Sequence, residues 1–130
     1  MTPPRILLMD DDEMVRTLMA RRLERLGYAV EVTAEGADAV AAYRRGMQNG
    51  RPYAAVILDL RVREGLDGAG TIRQLLDVDP GVRAVVTTGQ TDDPVLSDFW
   101  DHGFAAVLTK PCRLQDIEDV LAKVLPGDTS

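Results

Sequence analysis

The chain has 130 residues but only one cysteine, one histidine and one tryptophan. A single cysteine, Cys112, cannot form an intrachain disulfide, so a reducing compartment is the natural environment. A single histidine, His102, excludes a metal site built from several imidazoles. These shortages leave carboxylates as the abundant chemical groups of the chain.

Long hydrophobic runs and an excess of positive charge are also missing. No stretch approaches the ~20 apolar residues of a membrane span, and only four apolar residues precede the first acids, too few for a signal peptide. The formal net charge of −6 argues against general nucleic-acid binding, which requires a basic face. We therefore expect a cytoplasmic protein that contacts neither membrane nor nucleic acid directly.

The length and composition indicate one globular domain. Hydrophobic residues make up 45% and charged residues 28% of the chain, as in ordinary globular proteins. A chain of this size builds one core, which excludes a second catalytic domain. We expect the domain to comprise residues 1–130, with a core at about 5–125 and a tail or linker stub at 126–130. No effector segment is expected after the core.

Short apolar runs alternate with longer segments of helical period. This pattern predicts βα units around a parallel sheet that is covered on both faces. The predicted strands lie at 6–9, 28–32, 55–58, 82–87 and 104–108, each followed by a helix. The second strand alternates apolar and polar residues, which is typical of an edge. Right-handed crossovers favour a doubly wound (βα)5, flavodoxin-like α/β fold with strand order 2-1-3-4-5.

Acidic residues follow two of these strands directly. Asp10, Asp11 and Asp12 come after the first strand, and Asp59 ends the third. In the predicted order these strands are neighbours, so their carboxylates share one crevice. Two unit charges about 5 Å apart repel by roughly 3 kcal/mol at an effective dielectric of 20. The crevice must therefore raise a pKa, bind a metal ion, or both. For Asp12 and Glu13 we expect a capping role at the first helix.

Four stretches of the chain together resemble the response-regulator receiver domains of two-component signalling. Each lies at a predicted strand end, and the resemblance spans residues 5–125. The stretches are Ile6-Leu7-Leu8-Met9-Asp10-Asp11-Asp12, Val56-Ile57-Leu58-Asp59-Leu60, Val85-Val86-Thr87-Thr88-Gly89 and Leu108-Thr109-Lys110-Pro111. The loop from Asp59 to Gly68 is one residue longer than usual. In this the chain is closest in pattern to the C-terminal receivers of hybrid histidine kinases.

The resemblance implies roles for individual residues. Asp59 is the expected phospho-acceptor, Thr88 bonds a phosphoryl oxygen and Lys110 pairs with the phosphoryl group. Thr88 is chosen over Thr87 because Gly89 follows it, as in the family pattern. The implied ligands of Mg²⁺ are Asp10, Asp11, Asp59 and the backbone carbonyl of Arg61. The bond before Pro111 is expected to be cis.

The resemblance also implies partners and a kind of activity. The expected donor is a histidine kinase or a histidine phosphotransfer protein, and a parent hybrid kinase chain is a further candidate partner. Such a domain is no conventional enzyme, although it catalyses its own aspartyl phosphorylation and its slow autodephosphorylation. Phosphorylation is expected to switch a protein-interaction surface.

Some features keep other functions open. Val107 stands where many receivers carry a Tyr or Phe that moves when the acceptor is phosphorylated. This favours an alternative, a degenerate receiver that binds partners without phosphorylation. A flavin binder fails because a flavin phosphate needs amides and hydroxyls after strand one, where this chain has acids. A hydrolase is disfavoured because no acid–base residue follows Asp59 at short spacing.

Several side chains outside the crevice allow two interpretations. The arginines of the first helix form either a docking face or a solvated face; they are Arg16, Arg21, Arg22 and Arg25. Phe99 and Trp100 are either core anchors or part of an output surface. We expect His102 at a helix end and Cys112 as a small buried thiol.

Overall fold

A computed structural model of the chain describes residues 3–63, 65–90 and 92–125. The predicted tail at 126–130 and Glu64 of the longer loop lie outside these described residues. Strands and helices alternate throughout the described chain. They are β1 (Arg5–Met9), α1 (Glu13–Arg25), β2 (Ala29–Thr33), α2 (Gly36–Gln48), β3 (Ala55–Asp59), α3 (Gly68–Val78), β4 (Ala84–Thr88), α4 (Pro94–Ser97), β5 (Ala106–Thr109) and α5 (Leu114–Val124).

The sheet has the predicted topology. Its five strands are parallel and lie in the order β2-β1-β3-β4-β5, which confirms the doubly wound fold. The order puts β1 and β3 side by side at the point where the chain reverses direction across the sheet, the usual place for a functional crevice. β2 lies at an edge, as predicted, and Val32 on it is 45% exposed.

Apolar side chains of the strands build one core on each face of the sheet. Every residue of β3 and β4 is buried, as expected for central strands with both faces covered. On one face Val56 and Val86 pack with residues of α2 and α3. On the other face Ile57 and Val85 pack with residues of α1 and α5. The two cores hold the carboxyl ends of β1 and β3 in fixed positions.

The segment after β4 differs from the sequence-based expectation. The acidic residues and proline of Asp92-Asp93-Pro94 predict a helix start, and the sequence pattern predicts that this helix runs to His102-Gly103. In the structure α4 ends at Ser97 and residues 98–103 form turns. The turns are closed by bonds between residues three apart, such as His102 N to Phe99 O at 3.1 Å. Aspartate, aromatic residues and histidine have modest helix propensity, and Phe99 packs against the core from this segment.

Smaller differences concern the strand ends. β4 and β5 each begin two residues later than predicted, at Ala84 and Ala106. Val82 and Phe104 are nonetheless buried. An apolar side chain favours burial of the residue, but it does not determine whether the backbone pairs with a neighbouring strand. Among the residues that the structure describes, no helix is long and apolar enough to cross a membrane.

Candidate functional site

The carboxyl ends of β1 and β3 bring three acidic side chains together. Met9 lies opposite Leu58 in the ladder, so the next residues, Asp10 and Asp59, are neighbours. One carboxylate oxygen each of Asp10, Asp11 and Asp59 lies within 4.8 Å of the others. Asp10 and Asp59 are buried, and Asp11 is partly exposed. The juxtaposition predicted from the strand order is confirmed.

Lys110 contributes the positive charge at this cluster. Its Nζ lies 2.7 Å from Asp10 Oδ2 and 3.3 Å from Asp59 Oδ1. The residue follows β5, and its backbone N–H donates to the Thr88 carbonyl at 2.8 Å. The Lys110–Pro111 peptide bond is cis, as expected. The lysine side chain therefore reaches past β4 to the acids of β1 and β3.

The buried charges perturb one another. Burial raises the pKa of Asp59 to about 6, and the Asp10 charge adds to this while Lys110 opposes it. Burial alone would lower the pKa of Lys110, but the hydrogen bond to Asp10 and the charges of Asp59 and Asp10 outweigh it and leave that pKa raised. Three carboxylates with one lysine leave unbalanced negative charge. Clustered carboxylate oxygens are the ligands that Mg²⁺ prefers, so the residues fit a hard divalent cation.

Backbone groups fix the orientation of the acids. Asp10 Oδ1 accepts from the Asp12 N–H at 2.9 Å, and Asp11 Oδ2 accepts from the Arg63 N–H at 2.8 Å. Asp12 Oδ1 accepts from Met14 N at 2.9 Å as the cap of α1. The predicted capping role of Asp12 is therefore confirmed, while Asp10 and Asp11 remain directed at the crevice.

The two threonines at the end of β4 occupy different positions. Thr87 lies opposite Asp59 in the ladder and lines a cavity of about 300 Å³ with Asp10 and Lys110. Thr88 is 3% exposed, and its Oγ1 accepts from Gln90 N at 3.0 Å. Both hydroxyls thus belong to this end of the sheet. The choice of Thr88 as the phosphoryl-bonding residue stays a prediction.

Arg61 has a side-chain contact that sequence reasoning missed. The family resemblance implies a role only for its carbonyl, but its guanidinium donates to both carboxylate oxygens of Asp93, at 2.9 Å and 3.2 Å. The hydrogen bonds from Arg61 lower the pKa of Asp93, which is a buried residue. Thirty-two residues separate the pair, so no local pattern could have revealed it.

The side chains with open interpretations are placed as follows. On α1, Arg16 Nη1 donates to the Asp10 carbonyl at 2.8 Å and Arg22 donates to the Cys112 carbonyl, whereas Arg21 and Arg25 are exposed. The helix face is therefore partly structural.

The structure also places Phe99, Trp100, Cys112 and His102. Trp100 is 68% exposed and is no core anchor, whereas Phe99 packs against the core. Cys112 is buried, and burial raises the pKa of its thiol. His102 lies in the turns after α4, with Nε2 3.3 Å from Asp98.

Comparison with known proteins identifies the family by sequence. The sequence profile of the response regulator receiver domain matches residues 6–122. The chain is 31% identical over 121 residues to the response regulator receiver protein CpdR of Brucella abortus, covering 93% of this chain and 96% of CpdR. It is 34% identical over 116 residues to the photosynthetic apparatus regulatory protein RegA of Rhodobacter capsulatus, covering 89% of this chain and 60% of RegA. Of the dicarboxylate transport regulator DctD of Rhizobium meliloti it spans 22%.

Solved structures share the fold. Chemotaxis protein CheY4 of Vibrio cholerae superposes with a TM-score of 0.82 at 22% identity, over 95% of this chain and 99% of CheY4. The receiver domain of sensor histidine kinase PA1611 from Pseudomonas aeruginosa, described with a magnesium ion in its active-site cleft, also gives 0.82, at 24% identity over 94% of this chain and 97% of that domain. Together with the profile match, these similarities show that the chain belongs to the response regulator receiver domain family of two-component signalling.

Proposed function

We propose that this domain accepts a phosphoryl group on Asp59 from a phosphohistidine of a histidine kinase or a phosphotransfer protein. Transfer requires Mg²⁺ and switches a surface that binds other proteins. The observation that carries the proposal is the cluster of Asp10, Asp11 and Asp59 with the Lys110 ammonium in contact with two of its members. A charge arrangement of this kind needs a cation and prepares the pocket for an anionic group.

Four groups would hold the metal ion, namely the carboxylates of Asp10, Asp11 and Asp59 and the backbone carbonyl of Arg61. When bound, Mg²⁺ supplies positive charge that neutralises phosphoryl oxygens. The magnesium ion described in the cleft of the PA1611 receiver, a domain of the same fold, supports this assignment. The unbalanced negative charge of the cluster supports it independently.

The transfer step uses the carboxylate of Asp59 as nucleophile. One of its oxygens attacks the phosphorus, and the O–P bond forms as the P–N bond to the donor imidazole breaks, with the electron pair passing to the imidazole nitrogen. Lys110 pairs with the phosphoryl oxygens, and the Thr88 hydroxyl donates to one of them. A pKa of about 6 leaves Asp59 largely ionised at neutral pH. Slow hydrolysis of the acyl phosphate restores the resting state.

A mass measurement tests the proposal. The protein is incubated with Mg²⁺ and acetyl phosphate, and its intact mass is recorded. We expect the addition of one phosphoryl group, its loss in Asp59→Asn and its loss when EDTA replaces Mg²⁺. Asp101→Asn removes an exposed carboxylate that does not belong to the acidic cluster, and it serves as the matched control. An unchanged mass of the unaltered protein would reject the proposal.

The family alternative is a degenerate receiver that binds a partner without phosphorylation. The absence of an aromatic residue at position 107 favours it, since Val107 cannot act as the family's aromatic switch. Mg²⁺ titration followed by Trp100 fluorescence discriminates the two functions. A saturable response favours the phospho-accepting receiver, and no response favours the degenerate module.

We further propose that the domain works in the cytoplasm as the receiver of a hybrid histidine kinase, with its output in the parent chain or a binding partner. The longer loop between Asp59 and Gly68 supports this assignment. Immunodetection of the native polypeptide tests it. A band of kinase size would agree with the proposal, whereas a band near 14.2 kDa would indicate a stand-alone regulator.

A further inference from the structure

We propose that Arg61 is a positioning residue that couples the phospho-acceptor site to α4 through its ion pair with Asp93. This inference rests on the proposed phosphorylation of Asp59. In a domain with valine at position 107, this ion pair is the route by which phosphorylation of Asp59 displaces α4. We call the paired side chains of Arg61 and Asp93 the clasp.

The geometry of the clasp is that of a bidentate pair. Arg61 Nε lies 2.9 Å from Asp93 Oδ2, and Arg61 Nη2 lies 3.2 Å from Asp93 Oδ1. Two parallel charge-assisted hydrogen bonds fix orientation as well as distance. A rotation or a displacement of the Arg61 guanidinium is therefore passed to the Asp93 carboxylate.

The guanidinium of Arg61 also reaches a second helix. Its Nη1 lies 3.5 Å from Asp67 Oδ2. Asp67 is the N-cap of α3 and accepts from Gly70 N at 3.0 Å, whereas Asp93 is the N-cap of α4 and accepts from Val95 N at 3.0 Å. One arginine thus joins the capping residues of two helices.

The position of Arg61 in the chain connects these caps to the site. It lies two residues after Asp59, and its carbonyl belongs to the proposed metal ligands. Leu60, between them, donates to the Thr87 carbonyl at 2.8 Å and accepts from Gly68 N at 3.1 Å. Both main-chain groups of Leu60 are therefore hydrogen-bonded, so a held backbone segment joins Asp59 to Arg61.

Asp93, at the α4 end of the clasp, is the buried member of the ion pair. The Asp93 side chain is 4% exposed, while that of Arg61 is 54% exposed. Within the described ranges Arg61 is the cationic side chain found within ion-pairing distance of Asp93. A buried carboxylate without its partner is costly. α4 comprises only four residues and Val95 packs into the core, so the clasp is the polar attachment of its first turn beside this apolar contact.

Trp100 provides a natural reporter of the α4 segment. It is the single tryptophan of the chain, lies in the turns that follow α4 and is 68% exposed. Its emission therefore responds to the position of this segment without any introduced label. Intact mass measured on the same sample reports phosphorylation of Asp59 separately.

Two substitutions test the clasp without removing the cap. Asp93→Asn keeps an oxygen for the N-cap bond, since asparagine caps helices as well as aspartate, but it removes the charge that Arg61 binds. Asp92→Asn removes the same charge from the exposed preceding residue and is the matched control. Arg61→Met removes the guanidinium, and Arg61→Lys retains a charge without the bidentate geometry.

With each protein already saturated with Mg²⁺, we expect acetyl phosphate to change both the mass and the Trp100 emission of the unaltered protein and of Asp92→Asn. In Asp93→Asn and Arg61→Met the emission change per phosphorylated molecule should fall at least about fivefold, and Arg61→Lys should restore part of it. A full emission change in phosphorylated Asp93→Asn would overturn the inference and leave the proposed function intact. If the unaltered protein takes up no phosphoryl group, the proposed function itself fails.

Discussion

Lys110 lies closer to Asp10 than to the proposed acceptor. Its Nζ is 2.7 Å from Asp10 Oδ2 and 3.3 Å from Asp59 Oδ1. Asp10 is also the more deeply buried of the two acids, at 1% exposure against 5%. In the metal-free protein the lysine is therefore first the counter-ion of Asp10. Asp59 is less well compensated, in agreement with its raised pKa.

Replacing Lys110 should be strongly destabilising. Lys110→Met leaves two buried carboxylates without their cation, and we expect a loss of about 3–5 kcal/mol in the free energy of unfolding at neutral pH. Urea denaturation measures it. Lys123→Met, at an exposed position on α5, is the matched control and should change stability by less than about 0.5 kcal/mol. Equal effects of the two substitutions would contradict the assigned ion pairs. Lys110→Met should also abolish phosphorylation.

Replacing Asp59 should have the opposite effect on stability. Asp59→Asn removes a buried charge that Asp10 repels, and a pKa of about 6 corresponds to a destabilisation of roughly 2–3 kcal/mol at pH 7. We therefore expect Asp59→Asn to raise the free energy of unfolding of the metal-free protein while abolishing phosphorylation. Urea denaturation in EDTA provides the measurement. A destabilised Asp59→Asn protein would show that Asp59 is well compensated.

The same raised pKa predicts a pH dependence. Between the ordinary value of 3.8 and about 6, the folded protein holds a proton on Asp59 that the unfolded chain has released. Stability contributed by this group is therefore present below pH 4 and is lost as the pH rises to about 6. The difference in unfolding free energy between Asp59→Asn and the unaltered protein should grow across this window and stay constant above it. A constant difference from pH 4 to 8 would contradict the shift.

Gly68 should tolerate no side chain, in contrast to Gly89. A Cβ at Gly68 would lie 2.6 Å from the Asp59 carbonyl oxygen and 2.9 Å from Leu60 Cα, whereas one at Gly89 meets nothing within 4 Å. Both contacts of an added Cβ would be with backbone atoms, which cannot move without shifting the main chain around Asp59. We expect Gly68→Ala to destabilise by about 1–3 kcal/mol and to slow phosphorylation of Asp59, while Gly89→Ala leaves both near normal. Thermal unfolding and mass analysis test the pair, and equal behaviour would argue against a close approach at Gly68.

Much of the fold follows from local pattern. The continuous apolar runs at β1 and β3 predict central strands, because both faces of a central strand are buried. The alternation of apolar and polar residues on β2 predicts an edge strand that is half exposed. The ends of α1 were predictable from Asp12 and Gly27, since Gly27 adopts a φ of 100° that favours glycine. The length of α4 was not predictable, because its turns depend on how Phe99 packs against the core.

The candidate site was predictable only in part. Asp10 and Asp59 meet because β1 and β3 are neighbours in the sheet. The handedness of crossovers restricts the strand order to a few topologies, and this order is the commonest of them. The position of Lys110 was implied by family resemblance. The pairing of Arg61 with Asp93 joins two loops, and neither loop has a periodic pattern from which its course could be predicted.

The amino-acid sequence by itself determined the alternation of strands and helices, the strand order and the crevice in which the acids meet, because burial and chain handedness act through patterns repeated along the chain. Only the tertiary structure decided which oxygen Lys110 approaches, that Arg61 holds Asp93, and that Trp100 is exposed. Such contacts depend on distances of a few ångströms between segments far apart in sequence, and those distances arise only when the whole sheet and its helices have packed.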